Sequence, residues 1–390
     1  MLTPLRLTAV LLALVAQGSS ESTKCTVTEF SQVENVVKNC KDIVVSNLVV
    51  PGGETLELYL NSGTTLTFEG ITVFDHKEWS GPLIRVRGNN ITIQGAPGSL
   101  LNGQGELYWD HMGDKGPKKP QFMKIEAFDG SVFKDIKIIN CPHHCIYIGK
   151  SDQLTITGWI IDNSYGDHDN FTGHNTDGFD VSAATNLVIE KSTVINQDDC
   201  IALRHGANIL VRNMFCSGGH GISLSTGFNY TLFEENTLYN VTVEDSVIVR
   251  SDNGIHVKTH ADSFKGEIKN VTYSNIFLSG IHNYGINVQQ DYVNGSATGI
   301  PNNNIPIIDL NLINIHGNVL DVYNNSMPVY INCGKEACVN WTWSGVNVSG
   351  GREKSKCNNY EPNGYKCLDN TNKSSQSLYV NKLMVKPPTA

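Results

Sequence analysis

The sequence has few charged residues for its length. Asp, Glu, Lys and Arg make up 17% of its 390 residues, whereas hydrophobic residues make up 40%. The surface is therefore polar through Asn, Ser and Thr more than through ions. The formal net charge of −9 argues against a long polyanion such as nucleic acid as a partner, except at a local cluster of cations.

Long helical patterns and long apolar runs are also lacking. The one apolar run, Leu7 to Ala16, follows Arg6 and precedes small residues at a cleavage site. It is too short to cross a membrane easily, so we interpret residues 1–20 as a secretory signal peptide, with residues 21–24 open as a short pro-segment. We expect a secreted, extracellular protein that is monomeric and has no membrane partner.

The ten cysteines suit an oxidising compartment and fall in close pairs. Sequence alone does not fix their connectivity, and local pairing is the simplest interpretation. The pairs are Cys25 and Cys40, Cys141 and Cys145, Cys200 and Cys216, Cys333 and Cys338, and Cys357 and Cys367. Cys141-Pro142-His143-His144-Cys145 also resembles a zinc-binding segment, but no second ligand pair lies at the expected spacing, so we favour a disulfide there.

Ten Asn-x-Ser/Thr sequons are consistent with a glycoprotein. They are Asn90, Asn170, Asn229, Asn240, Asn270, Asn294, Asn324, Asn340, Asn347 and Asn372.

A short polar cluster followed by a short apolar alternation recurs through the middle of the chain. The clusters are Asn175-Thr176-Asp177-Gly178, Gln197-Asp198-Asp199-Cys200 and Gly218-Gly219-His220-Gly221, and the alternations begin at Phe179, Ile201 and Ile222. Further copies begin at Ile255 and Ile286, with Asn253 and Tyr284 in the matching place. A period of about 20–35 residues predicts a solenoid.

In a parallel β-solenoid, equivalent residues of successive coils stack ~4.8 Å apart. Asp177, Asp199 and His220 each stand two residues before a strand, so we expect them in one column on one face. Lys258 and Arg204 share a second position, three residues after the strand start.

The remaining chain fits a single solenoid domain over residues 25–370. Helical spacing of valines between Phe30 and Lys41 predicts a short helix that caps the open end of the core. Residues 103–120 form a long loop that we expect to wall a cleft, and residues 371–390 form a polar tail. Short β-branched alternations separated by Gly and Asn turns fill the remainder. They are Leu56 to Leu60, Thr64 to Phe68, Ile91 to Ile93, Ile136 to Ile139, Leu154 to Ile156, Leu187 to Ile189, Ile209 to Val211, Val241 to Val243, Val271 to Tyr273 and Ile307 to Leu312.

Carboxylates in one exposed column repel each other, so one holds its proton more tightly while another stays ionised. Such a pair is what cleavage of a glycosidic bond needs, and His220 can set which carboxyl is protonated. Two alternatives stay open: Asp and Asn residues that only form turns, and a calcium site, which would want more oxygen ligands. Lys258 and Arg204 on the same face indicate an anionic, carboxylated sugar, and Tyr284 offers a ring face to it.

Taken in order, these motifs closely resemble those of the polygalacturonases of glycoside hydrolase family 28. The resemblance includes Ser251 to Thr259 and Tyr284 to Gln290 and runs from about Cys25 to Cys367. It implies a right-handed parallel β-helix, secretion, no metal cofactor, and hydrolysis of α-1,4 bonds between galacturonic acid units of polygalacturonan or pectin, with inversion.

Carried to matching positions, the resemblance implies four roles. Asp198 looks like the general acid, Asp177 and Asp199 like the pair that activates water, and His220 like the residue that tunes the acid. Lys258 and Tyr284 look like subsite residues that bind galacturonate, and we also expect Asn175, in the same cluster as Asp177, to bind substrate.

One position departs from the family pattern, which usually has Arg-Ile-Lys where this chain has His256-Val257-Lys258. An imidazole lacks the planar, permanently charged fork of a guanidinium. We hypothesise that Arg204 partly replaces the missing group, and that protonated His256 binds substrate better at acid pH.

Several functions stay open on the sequence alone. An endo-acting polygalacturonase is favoured over an exo-acting enzyme, a hydrolase of substituted galacturonan, and a non-hydrolytic pectin-binding homologue. A pectate lyase fits less well, because its β-elimination usually uses calcium and a cationic base. A spacing of ~4.8 Å between coils is shorter than the ~6.5–9.5 Å typical of inverting carboxyl pairs.

Overall fold

The computed structural model of the protein describes residues 25–168, 173–293 and 295–367. The predicted signal peptide over 1–20, the segment to 24, the tail over 371–390 and the last residues of the predicted domain lie outside this part. The sequons at Asn170, Asn294 and Asn372 lie outside it as well.

Almost every described element is a short strand. In chain order, the first are β1 (Cys25–Val27), the 3-10 helix η1 (Phe30–Gln32), α1 (Val33–Asn39), β2 (Asp42–Ser46), β3 (Val49–Val50), β4 (Leu56–Tyr59), β5 (Thr65–Glu69), β6 (Ile71–Phe74), β7 (Ile84–Asn89), β8 (Thr92–Gly95), β9 (Leu100–Asn102), η2 (Gly105–Leu107), η3 (Gly113–Lys115), β10 (Met123–Phe128), β11 (Ser131–Lys134), β12 (Lys137–Ile139), β13 (Ile146–Ile148), β14 (Ser151–Thr157), β15 (Ile160–Asp162) and η4 (Ser164–Asp167). The others are β16 (Phe179–Glu190), β17 (Thr193–Ile195), β18 (Ile201–Arg212), β19 (Phe215–Ser217), β20 (Ile222–Thr226), η5 (Glu234–Asn236), β21 (Thr237–Val249), β22 (Asn253–His260), β23 (Glu267–Ile281), β24 (Tyr284–Val293), β25 (Ser296–Ala297), β26 (Ile307–Val319), β27 (Met327–Asn332), β28 (Cys338–Val339), β29 (Trp343–Gly350) and β30 (Lys356–Asn358).

These strands wind into a right-handed parallel β-helix, as predicted. Each strand pairs in parallel with the equivalent strand of the next coil, and the antiparallel hairpin of β24 with β25 is the exception among the described strands. The pairing carries Phe179 onto Ile201, Ile201 onto Ile222, Ile222 onto Ile255, and Ile255 onto Ile286. The repeat found in the sequence is therefore the repeat of the coils.

The helix has three faces, and the longest strands turn the corners between them. One face runs through β13, the start of β16, the start of β18, β20, β22, β24 and β27, and we call it the acid face because it carries the polar clusters. The far half of β16 pairs with the far half of β18 on the second face, which continues through β21, β23 and β26. The third face contains β15, β17 and β19.

Asparagine side chains stack along one corner of the helix. Asn186, Asn208, Asn240 and Asn270 all have left-handed backbone conformations, with φ between 50° and 56°. The last three amides each donate a hydrogen bond to the side-chain oxygen of the asparagine on the preceding coil, at 3.1, 3.0 and 2.7 Å. Asn tolerates this backbone conformation better than most residues, so the corner uses the residue type that can both turn and stack.

Inward-facing side chains form one continuous apolar column that runs the length of the helix. On the acid face its members are completely buried: Ile146, Phe179, Ile201, Ile222, Ile255 and Ile286. Helix α1 closes one end of the core with buried Val33 and Val37, so the predicted cap is confirmed.

Five disulfides staple neighbouring turns of chain. They join Cys25 to Cys40, Cys141 to Cys145, Cys200 to Cys216, Cys333 to Cys338, and Cys357 to Cys367, so local pairing is confirmed. The sequons within the described residues are exposed at Asn90, Asn240, Asn270, Asn324, Asn340 and Asn347, and half-buried at Asn229. No helix among the described residues has both the length and the apolar character to span a membrane.

Candidate active site

The polar clusters of three successive coils meet at one edge of the acid face. The backbone N–H of Gly178 donates to the carbonyl of Asp199 at 2.9 Å, and the N–H of His220 donates to the carbonyl of Asp198 at 2.8 Å. Gly219 permits this stacking, because a Cβ there would lie 1.9 Å from the carbonyl oxygen of Asp198. The side chains of Asp177, Asp198, Asp199 and His220 therefore converge, as the spacing predicts.

Asp198 is held as a carboxylate by three hydrogen-bond donors. Its Oδ1 lies 3.1 Å from His220 Nδ1 and accepts from the backbone N–H of Asp199 at 2.7 Å, while its Oδ2 accepts from Asn175 Nδ2 at 3.2 Å. Although burial opposes ionisation, the His220 cation and these hydrogen bonds hold the pKa of Asp198 well below its usual range. The same pairing raises the pKa of His220 to about 9, so its ring is cationic at neutral pH.

Asp177 has the opposite environment. It is 6% exposed, and its Oδ1 has no hydrogen-bond partner; the nearest cationic atom, His144 Nε2, lies 3.6 Å away. Burial and the neighbouring Asp198 carboxylate raise the pKa of Asp177 well above its usual value. In the ligand-free chain the higher pKa of this carboxyl pair therefore belongs to Asp177, whereas the roles implied by the sequence place the proton on Asp198.

Asp199 is bound by a lysine and a serine. Lys258 Nζ donates to its Oδ2 at 2.8 Å, and Ser223 Oγ donates to its Oδ1 at 2.6 Å. The Asp199 carboxylate raises the pKa of Lys258 against the opposing effect of burial. Lys258 thus lies in the cluster, as predicted, but one of its N–H bonds is already used by an acid.

A fourth buried acid was missed from the sequence. Asp180 is fully buried, accepts from Arg204 Nη2 at 2.7 Å, and lies 2.7 Å from His144 Nδ1. These two cations lower the pKa of Asp180 to about 2, and the acids raise the pKa of His144 to about 10. The Arg204 guanidinium is therefore bound to Asp180. The hypothesis that Arg204 partly replaces the arginine missing at position 256 would need it beside His256, which is on a different coil.

His144 was also missed, although the sequence contained a signal for it. It stands two residues before Ile146, in the same place relative to its strand as Asp177 relative to Phe179. The Cys141–Cys145 disulfide occupies both thiols of the segment that resembled a zinc site.

His256 lies on the acid face between Ser223 and Asn287 of the neighbouring coils. It is 6% exposed, and neither ring nitrogen has a hydrogen-bond partner. Burial and the nearby Lys258 cation hold the pKa of His256 well below its usual value. This direction disfavours a charged His256 ring, and the expectation that protonated His256 binds substrate better at acid pH stays a prediction.

Two tyrosines flank the cluster. Tyr284 stacks on Tyr330 with 5.2 Å between ring centroids, and its hydroxyl accepts from Asn325 Nδ2 at 2.8 Å. Tyr292, which the sequence analysis did not select, lies nearer the acids: its ring centroid is 5.1 Å from Lys258 Nζ. Its position at the end of β24, after the Gln289-Gln290-Asp291 run, was the only available signal.

The loop over 103–120 reaches the cluster, which agrees with its predicted place as a wall. Asn175 Oδ1 accepts from the backbone N–H of Asp114 at 3.1 Å, and Asp114 Oδ1 lies 3.0 Å from His143 Nε2. The Asn175 side chain therefore links this loop to Asp198, because its oxygen binds the loop and its nitrogen binds the acid.

Among the described residues, three groups have donor atoms close enough for a metal ion. They are Asp114 with His143 and His144, His144 with Asp177 and Asp180, and Asp198 with Asp199 and His220. Each contains a histidine nitrogen and at most two carboxylates, whereas Ca²⁺ takes six to eight oxygen ligands. The donor chemistry does not fit the calcium alternative.

Comparison with known proteins finds matches to one enzyme family over most of the chain. Residues 40–370 match the family described as glycosyl hydrolases family 28. The chain is 49% identical to a polygalacturonase of Phaedon cochleariae, over 93% of this chain and 98% of that protein. It is 43% identical to endopolygalacturonase I of Aspergillus niger, over 90% and 94% of the two chains.

A solved structure supports the match. Endopolygalacturonase I from Stereum purpureum, determined with two galacturonates, superposes with a TM-score of 0.75 at 33% sequence identity. The superposition covers 84% of this chain and 95% of that one.

Proposed function

Because this chain belongs to family 28 of the glycosyl hydrolases, we propose that it hydrolyses internal α-1,4-galacturonosyl bonds of polygalacturonan and pectin. The observation that carries the proposal is the convergence of Asp177, Asp198, Asp199 and His220 on one face of the helix. Hydrolysis of a glycoside by acid and base catalysis requires one protonated carboxyl group beside an ionised one. Relatives named as polygalacturonases and endopolygalacturonases point to the same substrate.

In the proposed mechanism Asp198 protonates the departing glycosidic oxygen. Asp177 and Asp199 position and deprotonate the attacking water, and water attacks the face of the sugar opposite to the leaving group, which inverts the anomeric centre. Asp177 and Asp198 share one proton as a pair. Because the pKa of Asp177 is the higher of the two in the ligand-free chain, substrate binding must raise the pKa of Asp198 for Asp198 to act as the acid.

The charged groups around the acids give the site its affinity for a carboxylated sugar. Lys258 retains two N–H bonds beyond the one it donates to Asp199, and these can bind a galacturonate carboxylate. We propose that Tyr284 and Tyr292 present ring faces to the sugar. Asn175 and Arg204 act mainly by holding Asp198 and Asp180 in place.

We also propose that the chain is secreted through its predicted signal peptide and acts as a monomer without a metal cofactor. Pectin is an extracellular polymer, and the five disulfides suit an oxidising compartment.

The proposal is tested by incubating the purified protein with polygalacturonic acid and following viscosity, reducing ends and oligomer sizes. We expect a rapid fall in viscosity and mixed oligomers, and loss of both in Asp198→Asn, which keeps the size of the side chain. Release of monomer with little change in viscosity would instead indicate an exo-acting enzyme. Absence of new reducing ends with retained binding would indicate a pectin-binding homologue, and an unsaturated product would indicate a lyase.

A further inference from the structure

A row of four rings lies along the acid face beside the charged cluster, with Phe228 at one end 4.8 Å from the Arg204 guanidinium. The centroid of His256 lies 6.4 Å from that of Tyr292, Tyr292 lies 5.2 Å from His260, and His260 lies 4.1 Å from Phe228. We call these four residues the aromatic row. Its outer end is open to solvent, since Phe228 is 46% exposed, while His256 and His260 are 6% and 7% exposed.

Both histidines of the aromatic row are neutral. Burial and the Lys258 cation lower the pKa of His256 well below its usual value and the pKa of His260 to about 4. The cations nearest the row are Lys258 and Arg204, and each is already paired with an acid, Asp199 or Asp180, at 2.8 and 2.7 Å. The row therefore presents no uncompensated positive charge.

The aromatic row also has unused hydrogen-bonding atoms. Neither ring nitrogen of His256 has a partner, and His260 Nε2 has none. Buried polar atoms usually find a partner, so three unpaired nitrogens in one row indicate a ligand that supplies it. A neutral imidazole offers one N–H donor and one nitrogen acceptor, which suits an ester carbonyl and a sugar hydroxyl.

A free carboxylate fits this surface poorly. It would lose water against aromatic rings, Arg204 is already paired with Asp180, and Lys258 is left to bind the neighbouring sugar, so such desolvation is costly. A methyl ester carries no charge, and its methyl group packs favourably against aromatic faces. The chemistry of the row thus favours the ester over the acid.

We propose that the aromatic row is a binding site for a methyl-esterified galacturonosyl unit, so that the chain cuts next to esterified sugars in pectin. This inference rests on the proposed function and names the substrate class of the same cleft. His256 is the residue that determines the preference, because both of its ring nitrogens lack a partner in the protein. Lys258 binds the neighbouring, unesterified sugar.

The test compares kcat/KM on fully de-esterified and partly methyl-esterified preparations of one parent pectin. We expect the wild-type chain to favour the partly esterified preparation. His256→Arg should move the ratio of the two values by about tenfold toward the de-esterified one, which corresponds to about 1.4 kcal/mol of differential binding.

Two further variants act as controls. His256→Gln keeps a neutral donor and acceptor and should retain the wild-type preference. His316→Arg adds the same charge at an exposed position on β26, on another face, and should also retain it. Mass spectrometry of the wild-type products should show methyl esters on the sugars at the new chain ends.

The inference is overturned if the wild-type chain prefers the de-esterified preparation, or if His256→Arg changes kcat/KM equally on both. It is overturned as well if His256→Arg and His316→Arg shift the ratio by the same factor, because long-range charge would then explain the effect. If the proposed hydrolytic function itself is wrong, neither pectin preparation will yield new reducing ends, which distinguishes that result from failure of the methyl-ester inference.

Discussion

Asp177 and Asp198 are the same residue type in adjacent coils, yet their surroundings drive their protonation in opposite directions. Asp198 accepts three hydrogen bonds, one of them from cationic His220, whereas Asp177 has a buried oxygen without a partner. The pKa values of the two carboxyls are therefore pushed apart, which is the division that acid and base catalysis requires. In the ligand-free chain the higher pKa belongs to Asp177, the residue proposed to activate water.

A substrate with a good leaving group distinguishes the catalytic role of Asp198 from that of Asp177. Asp198→Asn should lower the rate on polygalacturonate by about 10²–10⁴-fold, the usual contribution of a general acid. On a nitrophenyl oligogalacturonide the loss should be far smaller, because nitrophenolate departs without a proton. Asp177→Asn should lose the same factor on both substrates.

Initial rates of the two variants on both substrates, with the wild-type chain alongside, decide the assignment. If Asp177→Asn is the variant that the nitrophenyl substrate rescues, Asp177 is the proton donor, as its raised pKa in the ligand-free chain suggests.

At the scale of elements, the corners of the coils decide whether the strands stay in register. Asn208 has a φ of 56°, donates to Asn186 at 3.1 Å and accepts from Asn240 at 3.0 Å. The stack fixes one coil over the next at the corner between the acid face and the second face. A slip of one residue within β16 would turn Asp180, which lies between core residues Phe179 and Val181, into the core.

Replacing Asn208 with Ala should lower the free energy of unfolding by about 2 kcal/mol, because both side-chain hydrogen bonds are lost and Ala is strained in the left-handed region. Asn208→Gly loses the same hydrogen bonds without the strain and should cost about 1 kcal/mol. The midpoints of urea unfolding measure both. Two variants as stable as the wild-type chain would show that the stack contributes nothing to stability.

At the scale of the whole molecule, an elongated core must be closed where the coils end. Helix α1 covers the first coils with Val33 and Val37, each 6% exposed, and exposes Glu34 and Asn35 to solvent. Without a cap, the apolar interior and unpaired strand edges would be open to other chains.

Val37→Asp should therefore destabilise the protein by at least about 3 kcal/mol, because it loses a buried side chain and places a charge against the core. It should also cause self-association, detected by light scattering after size-exclusion chromatography. Asn35→Asp, which adds the same charge on the exposed side of the helix, should remain monomeric. Equal behaviour of the two variants would argue against a capping role.

The sequence by itself determined the coil repeat, the column of acids, the capping helix and the local disulfides. These depend on periodicity and on neighbours close in the chain, and both are visible in the order of residues. His144 has the same spacing to its strand as Asp177 and could have been predicted from the coil repeat. The neighbouring cysteines favoured a metal-binding interpretation of that segment instead.

Only the tertiary structure decided which charges pair. Arg204 and His220 each bind an acid on a neighbouring coil, Lys258 binds one that is two coils away, and Asp180 proved to be part of the cluster. Side-chain direction and burial set these partners and therefore the pKa order of Asp177 and Asp198. Neither property is a function of spacing along the chain, because each depends on atoms that the winding of other coils brings near.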